Sequence, residues 1–404
     1  PSWGGMLNGL LTLRGAWDRV RQDPILKFMV VAVSAYGMAT LEGPLLSLKS
    51  INAISHYTDW TIAHVHVGTL GWNGMMTFGI LYWIIPRLYN TKLYSIKMAN
   101  SHFWIATLGT LFYVIPLYWA GWTQSLMWKQ FEPDGLLTYG NFLETVTQII
   151  PMYMLRAIGG AIYVAGVFMM AYNLWKTAKT GSVKNTTVTH PPKEIITNTK
   201  GEYWHKWIEK RPVQMLIAAT ILVMIGGLVE IFPMIIIDKN VPKIENVKPY
   251  TPLELEGRDI YIAEGCLGCH SQMIRPFRSE TERYGDFSKS GEFIYDRPFL
   301  WGSKRTGPDI HRVGEKYLDS WHYNHMLDPT SMSPGSIMPA YPWLFKREIN
   351  TDYTAAKIRT LQKLNTPYPT NYAEIAVEEL KKQARLITDN LKAQGIEQEG
   401  LEEK

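Results

Sequence analysis

Five long apolar runs constrain the fold of this chain more than any other feature of its 404 residues. They lie at residues 26–48, 60–86, 102–122, 147–172 and 215–237. A helix needs about 20 mainly apolar residues to cross a bilayer, and each run is long enough. Lipid forces a spanning segment to pair its backbone groups internally, which favours helices. The sequence therefore predicts an all-α, polytopic membrane bundle at residues 1–177, which contains the first four runs.

The rest of the chain divides into four further parts. A polar linker at 178–212 precedes a single transmembrane anchor at 213–238. A polar, mostly helical domain is expected at 239–347, followed by a helical extension at 348–404 with an acidic end. The net charge of +5 is mild, and no aromatic-basic patch indicates nucleic-acid binding.

Charge in the connecting segments predicts the orientation of the helices. Segment 173–212 holds eight Lys or Arg residues against three acidic ones, and segment 87–100 holds three against none. Segment 124–146 has one Lys and three acidic residues. Because an excess of Lys and Arg marks the cytoplasmic side, the first helix should run outward and the anchor should deliver residues 239–347 to the outside.

Two histidines lie inside the second apolar run, in the stretch WTIAHVHVGTLGWNG. Successive helix residues turn by about 100°, so His64 and His66 should point to roughly opposite faces. They cannot chelate one ion from one side, as an i,i+4 pair can. The spacing suits a helix between two cofactors, with one imidazole for each. Two packing histidines that hydrogen-bond across the bundle are the alternative.

Both cysteines of the chain lie in the stretch GCLGCHSQMIRP, which contains Cys266, Cys269 and His270. Thiols at this spacing can form thioethers to the haem vinyl groups, with the following His as an axial ligand. A redox dithiol does not require His270, and a common structural zinc set would need further Cys or His pairs. The motif therefore predicts covalently bound haem c, in an outside compartment.

The first half resembles the end of subunit I of haem–copper oxidases of the cbb3 type. The resemblance rests on SHYTDWTIAHVHVGTLGWNG, LLTLRGAWDRVR, YGMATLEGP and MYMLRAIGG. It implies that His64 binds the iron of haem b3 and His66 that of haem b. His56 matches the family's histidine near the haem propionates. Arg156 is predicted to lie near the outer face of the membrane. There a haem propionate or an acid on an upstream helix could pair with it.

The second half resembles the membrane-anchored mono-haem cytochrome c subunit of the same oxidases, here fused to subunit I. The resemblance rests on YTPLELEGRDIYIAEGCLGCHSQMIRP, GPDIHRVG and SIMPAY. It implies that Met338 is the sixth ligand of haem c, with Met332 as the alternative. It also implies that the Pro308 carbonyl orients His270. Met273 is too close to His270 in sequence to reach the opposite side of the haem.

Three further polar residues in the apolar runs have open roles. Glu42 could carry protons or hold a site near the haems, or it could be a satisfied structural carboxylate. For Tyr36, aromatic packing is favoured over a place in a proton path. His102 is interpreted as a structural residue that opens a helix on the inner side.

The resemblance implies a proton-translocating cytochrome c oxidase of the bacterial inner membrane. Electrons would pass from a cytochrome c donor through haem c and haem b to haem b3, where dioxygen is reduced to water. Membrane lipid and further subunits, including a dihaem cytochrome c subunit, are the expected partners. No residues match the family's CuB histidines, so we expect missing upstream helices to complete the active site. A nitric oxide reductase-like enzyme and an anchored electron-transfer cytochrome remain alternatives.

Overall fold

The computed structural model describes residues 2–183, 203–237, 241–398 and 400–401. It contains two units. One comprises the described residues of Pro1–Lys184, Pro249–Ser288 and Tyr295–Lys404, and the other those of Asn185–Lys248 and Lys289–Ile294. Most of the predicted linker (184–202) and the acidic terminal residues 402–404 lie outside the described residues.

Within the described residues the fold is all-α, as predicted, and contains no β-strand. The helices of the first part are α1 Ser2–Leu11, α2 Trp17–Gln22, α3 Pro24–Ser47, α4 Lys49–Ser55, α5 Asp59–His66, α6 Met75–Leu88, α7 Ile96–Met127 and α8 Phe142–Thr180. Those of the second part are α9 Trp204–Glu209, α10 Pro212–Ile237, α11 Pro252–Ala263, α12 Arg278–Tyr284, α13 Asp319–Leu327, α14 Pro329–Met332, α15 Thr354–Lys363 and α16 Tyr372–Ala393.

Four of the described helices are long and apolar enough to cross a membrane: α3, α7, α8 and the Pro212–Pro233 part of α10. The remaining predicted run, 60–86, is also helical, but a π-helical turn at Val67–Gly74 separates α5 from α6. By length and composition, these helices are those of a multi-pass membrane protein. In the second unit, none of the apolar α10 span is buried, as expected of an anchor that meets lipid.

Side-chain caps decide where the membrane helices begin. Asp23 accepts a hydrogen bond from the backbone N–H of Ile25 (2.8 Å) and starts α3, with Pro24 at its first position. Ser95 accepts from the N–H of Met98 (3.1 Å) and starts α7 at Ile96. The expectation that His102 opens this helix is therefore wrong, because the Ser95 cap sets the start six residues earlier.

His102 is fully buried in an aromatic core of the bundle. Its ring lies 5.1 Å from that of Phe28 and 4.7 Å from that of Phe78. Its Nδ1 lies 3.0 Å from the hydroxyl of Tyr82. These contacts give His102 a packing role, in keeping with its interpretation as a structural residue.

Small residues bring α7 and α8 into close contact. A Cβ on Gly109 would lie 2.7 Å from the backbone N of Tyr163, and one on Gly159 would lie 2.6 Å from the backbone of Phe112. Only glycine fits at both positions, so the two backbones touch directly. Small residues at helix crossings are a common basis of packing in membranes, where lipid removes the hydrophobic drive.

The π-helical turn follows directly after His66. A Cβ on Gly74 would collide with the hydroxyl of Tyr163, and that hydroxyl donates a 3.4 Å hydrogen bond to the carbonyl of Leu70. A side chain that inserts into the backbone ladder is a recognised cause of local helix distortion, and this contact lies within the π-helical turn. The turn changes the direction of side chains beyond His66 without ending the helix.

Helix α11 ends directly before the cysteine motif of the second half. Thr251 and Glu254 form a capping box at its start, and Pro252 occupies its first turn. Leu255 packs against Ile358 of α15 and against Ala373 and Ala376 of α16. A short 3-10 turn, Cys266–Gly268, follows after Gly265, whose φ of +74° favours glycine.

Candidate functional site

His64 faces helix α3. Its Nδ1 lies 3.3 Å from Oε2 of Glu42, and a Cβ on Gly43 would lie 3.9 Å from the imidazole. Because an ionised carboxylate can only accept, the Nδ1 of a neutral His64 carries the proton. The Nε2 atom then keeps its lone pair, through which a neutral imidazole binds a metal. The His64 side chain is 22% exposed, so it is open to a group beyond this chain.

His66 faces helix α7. Its Nδ1 lies 2.7 Å from the carbonyl oxygen of Ile62, which can only accept, so Nδ1 donates there. Its ring lies 4.7 Å from that of Tyr113, whose hydroxyl is 3.4 Å from Nε2. The two imidazoles thus contact different helices, as their spacing predicts. With each Nδ1 held by an acceptor, the donor set fits two separate metal centres better than one shared ion.

Glu42 lies at the centre of a small hydrogen-bonded cluster. It accepts from the hydroxyl of Tyr118 (2.5 Å) and from Nε1 of Trp60 (2.7 Å), in addition to its contact with His64. The hydrogen-bonding capacity of the Glu42 carboxylate is thus met within the structure, and one of its contacts is with the candidate ligand His64. Tyr36 instead packs against Trp72, with ring centroids 4.4 Å apart, in agreement with the favoured packing role.

His56 lies in the connection before α5, with its ring 4.1 Å from that of Tyr57. Burial, and then the nearby charges of Arg275 and Arg305, lower the pKa of His56 to about 4. His56 is therefore neutral at physiological pH and has cationic neighbours. A role beside anionic haem propionates stays a prediction.

Arg156 lies on α8 with its guanidinium 4.5 Å from the ring centroid of Tyr153. The hydroxyl of Tyr153 donates to Oδ2 of Asp59 at 2.6 Å, at the start of the helix that carries His64. Arg156 thus lies at the end of α8 that contacts the first turn of α5. Pairing of Arg156 with a propionate stays a prediction.

The Cys266, Cys269 and His270 motif forms a compact turn. Nδ1 of His270 lies 2.8 Å from the carbonyl oxygen of Pro308, so the sequence prediction for Pro308 is confirmed. A Cβ on Gly307 would lie 2.8 Å from both ring nitrogens of His270, which leaves room only for glycine. Burial lowers the pKa of His270, which favours the neutral ring, whose Nε2 atom keeps its lone pair while Nδ1 donates to the Pro308 carbonyl. Both thiols are free; Cys266 is half-buried and Cys269 is exposed.

The loop that carries Met338 lies beside this motif. Tyr341 lies close to Cys266 and Cys269. Its pKa is raised mainly by burial and, to a smaller extent, by the negative charges that these cysteines would carry as thiolates. Met273 instead packs at the edge of a core cluster around Tyr57, in keeping with its exclusion as a ligand. The choice between Met338 and Met332 stays a prediction.

Three other histidines lie in this half of the chain outside the cysteine motif: His311, His322 and His325. His325 stacks on Trp321 at 4.6 Å, and its pKa is lowered first by burial and then by repulsion from His270 when that ring is protonated. His325 is therefore a near neighbour of the candidate haem c ligand, which its sequence position did not indicate. His322 lies edge-on to Trp321 at 5.3 Å.

Comparison with known proteins identifies the two halves. Residues 1–162 match the family model described as Cytochrome C and Quinol oxidase polypeptide I, and residues 205–404 match Cytochrome C oxidase, mono-heme subunit/FixO. The chain is 53% identical over 178 residues to a cytochrome c oxidase subunit 1 homolog of Agrobacterium tumefaciens (strain T37), covering 44% of this chain and 33% of that protein. It is 49% identical over 180 residues to the Cbb3-type cytochrome c oxidase subunit CcoN1 of Stutzerimonas stutzeri, covering 44% and 38%.

The chain joins a cbb3-type oxidase subunit I region to a FixO-like region. A third relative, cytochrome c oxidase subunit 1 of Rhodobacter capsulatus, is 50% identical over 193 residues, covering 47% of this chain and 36% of that protein. The chain spans roughly a third of the length of these relatives. We call residues 1–162 the subunit I region and residues 205–404 the FixO-like region.

Buried charges connect the two regions. Arg305, which is 1% exposed, contacts Glu280 (3.0 Å) and Asp309 (3.3 Å), and its guanidinium lies 4.2 Å from the ring centroid of Tyr57. Arg275 pairs with Glu280 at 2.6 Å and reaches the carbonyl of Asn52 at 3.3 Å. Tyr57 and Asn52 belong to the subunit I region, so cations of the FixO-like region lie directly on its surface.

Sequence reasoning missed these contact residues and also Asp59, Lys304 and Tyr153. One signal was present, since Asp59 is an acid at the edge of an apolar run, where charges are expensive. That signal was ambiguous, because an acid in the first turn of a helix is also common as a dipole partner. The cation that pairs with Asp59 is Lys304, which lies far along the chain and beyond the reach of any local pattern.

Proposed function

We propose that this chain is part of a cbb3-type terminal oxidase. The residues that would hold haem c, haem b and haem b3 would link an outside cytochrome c donor to the site where dioxygen would be reduced to water, with formation of a proton gradient. The observation that carries the proposal is the divergence of two fixed imidazoles on one helix, His64 toward α3 and His66 toward α7. The relatives named as cytochrome c oxidase subunits support it over a nitric oxide reductase.

The residues of each candidate site fit the proposed cofactor. Cys266 and Cys269 would hold haem c through thioethers, and His270 and Met338 would bind its iron. His66 would ligate haem b and His64 haem b3. When bound, the haems supply one-electron transfer, and haem b3 together with CuB supplies oxygen reduction.

The protein's own contribution is to fix these ligands. The carbonyl oxygens of Ile62 and Pro308 accept from Nδ1 of His66 and His270, and the Glu42 carboxylate accepts from Nδ1 of His64. Such contacts set the tautomer and the ring orientation of a ligating histidine and raise its basicity. The acceptor at His64 is a charged carboxylate, so it should push electron density toward Nε2 more strongly than a carbonyl does.

The copper site is proposed to come from outside this chain. Within the described residues, no three His, Cys, Asp or Glu side chains are grouped so as to hold a metal ion. The proposed partners are further subunits, such as a dihaem cytochrome c, and membrane lipid. We place the assembly in a bacterial inner membrane with the cytochrome domain on the periplasmic face, which the charge pattern of the connections supports.

The test is a pyridine haemochrome spectrum and a metal analysis of the native complex that contains this chain. Haem b, haem c and copper together would support the proposal. Non-haem iron in place of copper would indicate a nitric oxide reductase. Haem c alone would reduce the chain to an anchored electron carrier and would contradict the roles of His64 and His66.

The individual histidines are tested by comparing His64→Ala with His66→Ala in this complex. The first should remove the haem that binds carbon monoxide and abolish oxygen reduction, while haem c stays. The second should remove the low-spin haem b signal. The opposite pattern would exchange the two assignments.

A further inference from the structure

One loop of the FixO-like region contacts both the cysteine motif and the start of the helix that carries His64 and His66. This bridging loop, residues 301–310, is bound to the cysteine motif by three backbone hydrogen bonds: Gln272 N–H to Trp301 O (3.1 Å), Gly307 N–H to Cys269 O (3.0 Å) and Ile310 N–H to Ser271 O (2.9 Å). Its Pro308 carbonyl also accepts from His270. The loop is therefore fixed relative to the candidate haem c ligands.

The other side of the bridging loop contacts the start of α5. Arg305 donates its backbone N–H to the carbonyl of Tyr57 at 2.9 Å, and Nζ of Lys304 lies 2.8 Å from Oδ1 of Asp59. Tyr57 and Asp59 precede His64 by only seven and five residues. Pro308, which holds the haem c histidine, follows Lys304 by only four positions in the same loop.

The Lys304–Asp59 pair is enclosed. The Asp59 side chain is 0% exposed and that of Lys304 is 11% exposed. Oδ2 of Asp59 accepts from Nε2 of Gln124 (3.0 Å) and from the hydroxyl of Tyr153 (2.6 Å). Ion pairs on the surface contribute little to folding stability. Removing the cation that pairs with a buried carboxylate, in contrast, strongly destabilises the fold. The buried charge of Asp59 therefore favours the one loop position in which Lys304 stays beside it.

We propose that Lys304 is a positioning residue, which fixes the haem c site at one distance and orientation from the helix that carries His64 and His66. The inference rests on the proposed function, because it concerns electron transfer between these sites. The fusion of the two regions in one chain makes it testable. If the Lys304–Asp59 pair is removed, the cytochrome domain stays in the complex because the chain tethers it. The haem c site then loses its fixed position relative to α5.

The experiment compares Lys304→Met, Lys304→Arg and the unaltered complex by laser-flash photoreduction of haem c with a ruthenium complex. Methionine keeps the unbranched stem and removes the charge. We expect haem b reduction to slow by roughly 10- to 100-fold in Lys304→Met, since small misplacements have effects of this size. Lys304→Arg should recover most of the rate. Haem contents and midpoint potentials should not change, whereas a general loss of structure would lower the contents.

Two further variants separate positioning from simple stability. In Lys304→Met combined with Asp59→Asn no charge is left unpaired, so folding should recover while electron transfer stays slow. Recovery of the rate would overturn the proposal. Lys346→Met, at an exposed lysine of the same region, is the matched control and should leave the rate unchanged.

Hydrogen exchange gives a readout that does not depend on the haems. Lys304→Met should speed exchange of the Arg305 N–H by roughly 100-fold, because its bond to Tyr57 depends on the pair. If the unaltered complex lacks haem b, the proposed function fails, and this measurement still tests the contact. If haem b is present and the variant changes neither exchange nor rate, the positioning role of Lys304 alone is refuted.

Discussion

Replacing Glu42 by glutamine tests whether this carboxylate controls His64. Glu42 accepts at 2.5 Å from Tyr118, at 2.7 Å from Trp60 and at 3.3 Å from His64. A glutamine has one acceptor oxygen and places an N–H₂ donor in the position of the other. Depending on its orientation, the amide of the Glu42→Gln variant either faces Nδ1 of His64 with a donor or offers it a neutral acceptor. In both cases the charge-assisted hydrogen bond is lost.

The size of the effect follows from this change. Hydrogen bonds to charged groups contribute about 1.5–3 kcal/mol, and neutral ones about 0.5–1.5 kcal/mol. The loss for His64 is therefore about 1–3 kcal/mol, or roughly 5- to 150-fold in its affinity for a metal at about 1.4 kcal/mol per factor of ten. Loss of hydrogen-bond partners behind a ligating histidine typically weakens metal binding or activity by about 10–100-fold, which is the same range.

The assay is oxygen consumption with a reduced cytochrome c donor, together with the carbon monoxide difference spectrum, both normalised to haem c. Glu42→Gln should lower turnover about 10–100-fold. Glu144→Gln, at an exposed carboxylate in the first turn of α8, is the control and should leave turnover unchanged. Unchanged turnover and an unchanged spectrum in Glu42→Gln would refute the reasoning. An equal loss in Tyr118→Phe would show that the cluster matters rather than its contact with His64.

Three further changes, together with one control variant, test other parts of the structure. Arg305→Met leaves the buried Asp309 carboxylate without its cation and should destabilise the FixO-like region by about 3–5 kcal/mol in urea unfolding followed at the haem c band. Arg19→Met removes an exposed pair and should cost less than about 1 kcal/mol; similar costs for both would contradict the burial argument. Gly307→Ala forces the His270 ring away from Pro308 and should cost about 1–3 kcal/mol in the same experiment, with a shifted haem c spectrum. Met338→Ala should lower the haem c potential by an amount of the order of 100 mV, within the range of about 0.8 V that axial ligands span; an unchanged potential would point to Met332.

Local sequence patterns were sufficient for the main elements of the fold and for the cofactor motifs. Each apolar run became a helix, because a segment that cannot hydrogen-bond to lipid must satisfy its own backbone. The divergence of His64 and His66 followed from the turn of about 100° per residue, which depends only on their spacing. The haem c motif could also be predicted from the sequence, since its three reactive groups lie within five residues.

Helix boundaries and irregular turns could be predicted less well from the sequence. The start of α7 depended on the Ser95 cap rather than on the apolar run, so it was placed six residues late. The π-helical turn after His66 is contacted at Leu70 by the hydroxyl of Tyr163, a residue 93 positions further along the chain. No pattern within the run itself indicates that a polar group from α8 enters it.

The sequence by itself thus determined the helices, the divergent histidines and the haem c motif, because each depends on neighbours in the chain. Tertiary structure alone decided what holds these groups: Glu42 behind His64, Pro308 behind His270, and Lys304 on Asp59. The Pro308 contact could be anticipated only by resemblance to a family. The reason is physical, since a charge or a carbonyl acts on whatever comes within a few ångströms, and chain folding rather than sequence separation sets that distance.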